Sequence, residues 1–87
     1  MASVAELKSA IDAAIQQVGE AQAAVHAAGE KLTEAQQSLA AALEGSGHEA
    51  VAAARASLLQ AQTELDECLT ATLAAVEQAQ SYVATLG

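Results

Sequence analysis

The stretch Leu43-Glu44-Gly45-Ser46-Gly47-His48-Glu49 decides how this chain folds. Its two glycines interrupt a helical pattern that otherwise runs from residue 4 to residue 86. Gly45 stands where a helix commonly ends on a left-handed residue, a conformation that costs glycine nothing. Ser46-Gly47-His48-Glu49 has the S-x-x-E spacing of a capping box, in which serine and glutamate satisfy each other's orphan backbone amides. A stop signal and a start signal therefore abut. A connection that short makes the two flanking helices antiparallel neighbours.

Working outward, the turn divides the chain into two arms of nearly equal length. The expectation is one domain over residues 1–87: helix 1 from about 4 to 44, a turn at 45–47, and helix 2 from about 47 to 86. At ~1.5 Å per residue each arm spans ~60 Å. Composition agrees with this all-α reading. There are 25 alanines and 9 glutamines among 87 residues, and no proline. Alanine is the best helix former, Gln, Glu and Leu follow closely, and proline is the strongest breaker. Ser3-Val4-Ala5-Glu6 is a second S-x-x-E box, opening helix 1.

Helix 1 carries an unbroken heptad. One position reads Val4, Ile11, Val18, Val25, Leu32, Leu39, and the position three residues on reads Leu7, Ala14, Ala21, Ala28, Ala35, Ala42. Six repeats in register exceed the three to four expected of a coiled coil. The pattern predicts a coiled-coil-like hairpin with large residues at the first position and an alanine-rich seam at the second. Such a seam suits close antiparallel packing better than a parallel zipper, which prefers leucine there. Ile15 and Leu43 widen the apolar stripe on its other flank. Gly29 costs ~1 kcal/mol against alanine in a helix interior. It reads either as a tolerated defect or as a point of close helix approach.

In helix 2 the large residues are Val51, Leu58, Leu59, Leu65, Leu69, Leu73, Val76, Val83 and Leu86. Val51, Leu58 and Leu65 keep a seven-residue step. Leu69, Val76 and Val83 keep it too, displaced by four. That displacement reads as a stutter, a local straightening of the supercoil around Cys68, Thr70 and Thr72. Two helices do not cover the whole widened stripe. Ile15, Leu43, Leu59 and Leu73 are the candidates left outside, and the hairpin is expected to dimerise into an antiparallel four-helix bundle or to pair with a related helical protein. The interaction seam is thus expected at Val4, Leu7, Ile11, Ile15, Val18, Val25, Leu32, Leu39, Leu43, Val51, Leu58, Leu59, Leu65, Leu69, Leu73, Val76, Val83 and Leu86, with the turn at Gly45, Ser46 and Gly47.

Charge narrows the function. Three cations, Lys8, Lys31 and Arg55, face eleven carboxylates, for a net charge of -8. Nucleic acid is disfavoured as a partner, because its binding rests on Lys and Arg displacing phosphate counterions. Anionic membrane surfaces need the same basic residues. The longest apolar runs, residues 39–43 and 50–54, are far below the ~20 residues of a membrane span. Cys68 is the single cysteine, so no intramolecular disulfide forms, and as a heptad residue of helix 2 it reads as a buried, inert thiol. The N-terminus lacks a basic and an apolar signal region. Cytoplasmic residence is expected, with export without a cleavable signal peptide as the alternative.

No catalytic constellation emerges. His26 has Glu30 and Glu34 along one helix side, but a metal site needs three or four converging ligands and none is expected here. His48 reads as a solvated turn residue. Glu64, Asp66 and Glu67 lack the Glu-x-x-His pattern of di-metal bundles and read as a solvated face. No phosphate loop or nucleophile elbow is present, so neither enzyme activity nor a cofactor is expected.

A chain of this length, with two helices and a glycine-containing midpoint turn, resembles the WXG100, or ESAT-6-like, family. That family places Trp-x-Gly in the turn; here Gly45-Ser46-Gly47 supplies the glycine, and Gly45 stands at the tryptophan position. The family's Tyr-x-x-x-Asp/Glu export signal is matched at Tyr82, with Leu86 at the acidic position. The chain is also similar to short Ala-rich actinobacterial hairpin proteins. The resemblance implies a non-enzymatic interaction or adaptor module associated with secretion or with a toxin. The competing expectation is a phasin-like amphipathic surfactant coating a hydrophobic particle. It is supported by the widened stripe and opposed by the regular heptads and missing aromatic anchors. An RNA-binding hairpin is opposed by the acidity.

Overall fold

A computed structural model describes residues 3–44 and 49–87. The deciding turn at Gly45, Ser46, Gly47 and His48 lies outside the described residues, as do the capping box proposed there and the exact start expected for helix 2. The described chain is two helices, α1 (Val4–Ala42) and α2 (Glu49–Thr85). They lie side by side as an all-α antiparallel hairpin with extents of 64 × 18 × 15 Å.

Local chemistry sets the ends. Ser3 caps α1 with extended backbone (φ -73, ψ 165), and its Oγ accepts from the Glu6 amide at 3.1 Å. This satisfies one of the four amides that a helix start leaves without a partner. Glu6 also places negative charge in the first turn, where the helix dipole favours it. At the far end α1 stops at Ala42 rather than Glu44. Leu43 leaves helical geometry (φ -113, ψ 21) while its amide still donates to the Leu39 carbonyl at 3.0 Å. α2 closes on a tightened turn, with the Leu86 amide donating to the Val83 carbonyl at 3.1 Å. Gly87 follows with φ 85.

The seam differs from the expected one. On α1 the half-buried residues are Leu7, Lys8, Ile11, Ile15, Val18, Gln22, Val25, Gly29, Leu32, Gln36, Leu39, Ala40 and Leu43. Apart from Leu7 and Ala40, these are two heptad positions: the expected large-residue position, and the one four residues after it. The alanines predicted to form the second half of the seam, Ala14, Ala21, Ala28, Ala35 and Ala42, are exposed. Ile15 and Leu43, expected to be left over, sit in the seam. The reason is reach. With one neighbour to contact, α1 turns its longer side chains toward α2 and leaves the methyl groups outside.

The stutter in α2 is not present either. Its half-buried residues are Val51, Leu58, Ala61, Gln62, Leu65, Leu69, Thr72, Val76, Ala79, Val83 and Leu86. From Leu58 onward these follow alternating steps of four and three without a break, Ala61 apart. Val51, Leu58, Leu65, Thr72, Ala79 and Leu86 are one seam position; Gln62, Leu69, Val76 and Val83 are the other, and Arg55, one heptad before Gln62, is exposed. The large residues change from the first position to the second near Leu65, which imitates an insertion in the sequence although the register is continuous.

Candidate interaction surfaces

The two arms are locked by side-chain amides rather than by ion pairs. Gln22 Nε2 donates to Thr72 Oγ1 at 3.1 Å. Gln36 Nε2 donates to Gln62 Oε1 at 2.7 Å. Gln62 Nε2 in turn reaches the Thr33 hydroxyl at 2.6 Å and the Gly29 carbonyl at 3.2 Å. The Thr33 hydroxyl also donates to the Gly29 carbonyl at 3.1 Å, so one backbone oxygen accepts from both arms. Among the described residues no ion pair crosses the seam. Lys31 and Glu34 pair at 3.2 Å within α1, both well exposed.

These bonds set the register. Gln22 stands level with Thr72, so a seven-residue step toward the open end brings Ile15 level with Ala79. The same step toward the turn brings Gly29 level with Leu65. At these two levels a large residue on one arm meets a small one on the other. Because Gly29 has no side chain to set against Leu65, a cleft of about 200 Å³ opens there. It is lined by Val25, His26, Gly29, Glu30, Thr33, Gln62, Leu65, Asp66 and Leu69. A Cβ built on Gly29 meets nothing within 4 Å, so close helix approach is not what the glycine serves.

The hairpin has two unlike broad faces. The cleft face carries the residues that follow the seam: Asp12, Gly19, His26 and Thr33 on α1, and Leu59, Asp66, Leu73 and Gln80 on α2. Leu59 and Leu73 are each 57% exposed. They flank Asp66, one heptad to either side. The opposite face carries the alanines at 14, 21, 28, 35 and 42 on α1, and Ala54, Ala61, Cys68, Ala75 and Tyr82 on α2. None of those residues is Asp, Glu, Lys or Arg. Cys68, expected to be buried, is exposed there. Glu64, Asp66 and Glu67 are all exposed.

Of the eighteen predicted seam residues, most line the half-buried contact between the arms. Val4, Leu59 and Leu73 stand outside it, Val4 at 52% exposure. Sequence reading missed the polar members Gln22, Gln36, Gln62 and Thr72. The available signal was their spacing: Gln22, Gly29 and Gln36 continue the seven-residue series of Ile15 and Leu43. Among the described residues no group of three or more His, Cys, Asp and Glu is arranged to hold a metal ion. No described helix is long and apolar enough to cross a membrane. No protein-family model matches the chain, and no curated protein or solved structure matches it.

Proposed function

We propose that this chain is a non-enzymatic helical interaction module that pairs with a second copy of itself into an antiparallel four-helix bundle. One observation carries the reading: no described residue is buried in the single hairpin, apolar or polar. Every seam residue keeps part of its surface in water, and a second hairpin is the simplest way to cover it. The alanine face suits that contact. Apart from Tyr82, which stands 51% exposed at the open end, its small side chains let helices come close, and its lack of charge keeps the carboxylates of two acidic copies apart. A related helical protein with the same small, uncharged face is the other partner this reading admits.

On this reading the chain acts in the cytoplasm, in the setting of secretion or toxin delivery that the WXG100-like architecture suggests. Sedimentation equilibrium at tens of micromolar tests the pairing. A dimer is expected, and a monomer overturns self-association. Binding to liposomes by a monomeric chain, with no oligomer formed, moves the assignment to the surfactant reading instead.

A further inference from the structure

We infer that the cleft face is a docking groove for a basic amphipathic helix of another protein. This rests on the reading of the chain as an interaction module and names a partner for its second face. Four observations converge on it. The cleft at Gly29 and Leu65 is apolar at its base and open to solvent. Leu59 and Leu73, at 57% exposure each, stand one heptad to either side of it. Glu30 and Asp66 lie on its rim beside His26, and none of Lys8, Lys31 and Arg55 lines the cleft, Arg55 standing one turn before Leu59. Finally, Gly19 and Gly29 keep the α1 wall low along this face, since a Cβ at either meets nothing within 4 Å.

The glycines are informative because the backbone does not require them. Neither has positive φ; among the described residues only Gly87 does. Each costs the helix ~1 kcal/mol against alanine. What they leave is a trough of three apolar stations, Leu59, the Gly29 cleft and Leu73. Leu59 and Leu73 are ~21 Å apart along the helix. A helix presenting apolar residues at seven-residue steps matches that spacing. The acidic rim selects a helix with lysine or arginine beside those residues. A second copy of this chain fits poorly, because eleven carboxylates against three cations would bring like charge to the rim. Stacking through the alanine faces leaves one such groove outward on each side of the bundle.

The test uses the full chain and a fluorescein-labelled synthetic helical peptide with leucines at seven-residue steps flanked by lysines. A twin peptide carries glutamate at every lysine. Fluorescence anisotropy at low salt should show the basic peptide binding, and the acidic twin at least roughly tenfold more weakly. Leu73→Asn should weaken the basic peptide by about tenfold. Gly29→Leu, which fills the cleft, should do the same while circular dichroism shows helicity retained or raised. Equal binding of both peptides, no binding of either, or variants that bind like the parent overturns the inference. Sedimentation of the same samples separates the two claims. A dimer that ignores the peptide removes the groove and leaves the module. A monomer that still binds the basic peptide removes self-association and leaves the groove.

Discussion

The two broad faces of this hairpin are built from the same two helices and the same heptads, yet they differ in chemistry. The residues named on the alanine face are uncharged and small, save Tyr82 at its open end. The cleft face holds two exposed leucines, two helix-interior glycines, and carboxylates at its rim. A smooth neutral face suits repetition, because a second copy meets it without repulsion. A notched face with an acidic rim suits discrimination, because only complementary charge and spacing fill it. On the proposed reading one short hairpin carries two contacts, with no described residue buried between them.

The largest effect is expected from placing charge on the alanine face. Ala28→Glu with Ala75→Glu sets carboxylates against carboxylates wherever two copies stack there, at a cost of several kcal/mol. If the parent chain pairs as proposed, the expected outcome is a helical monomer by sedimentation at concentrations where the parent sediments as a dimer. An unchanged dimer would show that another face pairs. Next in size is Gln62→Ala. This removes one donor that serves the Thr33 hydroxyl and the Gly29 carbonyl, and one acceptor for Gln36. A loss of about 1–2 kcal/mol is expected in urea unfolding, and no loss would mean that solvent replaces these bonds freely.

The opposite sign is expected from Gly29→Ala. The position is helical and the added methyl meets open space, so stability should rise by up to ~1 kcal/mol. A fall would reveal a backbone requirement that the geometry does not contain. Leu59→Asn tests the exposed flank of the cleft face and should change stability by no more than about 0.5 kcal/mol. A larger loss would mean that Leu59 is covered in the assembled state. The smallest effect belongs to Lys31→Ala, because exposed i,i+3 pairs contribute at most ~0.5 kcal/mol.

Much of the fold was legible from local chemistry. Ser3 announced the start of α1, and alanine, glutamine and missing proline announced two long helices. The large heptad residues of α1 other than Val4 lie half-buried along the contact with α2. What misled was the choice of flank. Hydropathy favours the alanines at 14, 21, 28, 35 and 42 over Lys8, Gln22, Gly29 and Gln36. Glutamine, however, can bury its stem and spend its amide on the opposite arm, whereas an alanine fills the seam only where a large residue faces it, as Ala79 does level with Ile15. The same confusion produced the apparent stutter. Leu65 and Leu69 occupy the two seam positions of one register, and no one-dimensional pattern separates that from an insertion.

The candidate surfaces were less legible than the fold. Leu59 and Leu73 stood out as surplus apolar residues. The cleft between them did not, because it is made by a missing side chain on one arm facing a leucine from the other. Helicity, a single fold-back and acidity were readable from the residues alone. Those are properties of single residues and of spacings along one helix. Which flank of the stripe became the seam, where glutamine replaced apolar contact, and where Gly29 opened a cleft emerged from the packing of the two arms. Those depend on how α1 and α2 are rotated and slid against each other, which is set by pairs of residues as much as fifty positions apart, such as Gln22 and Thr72.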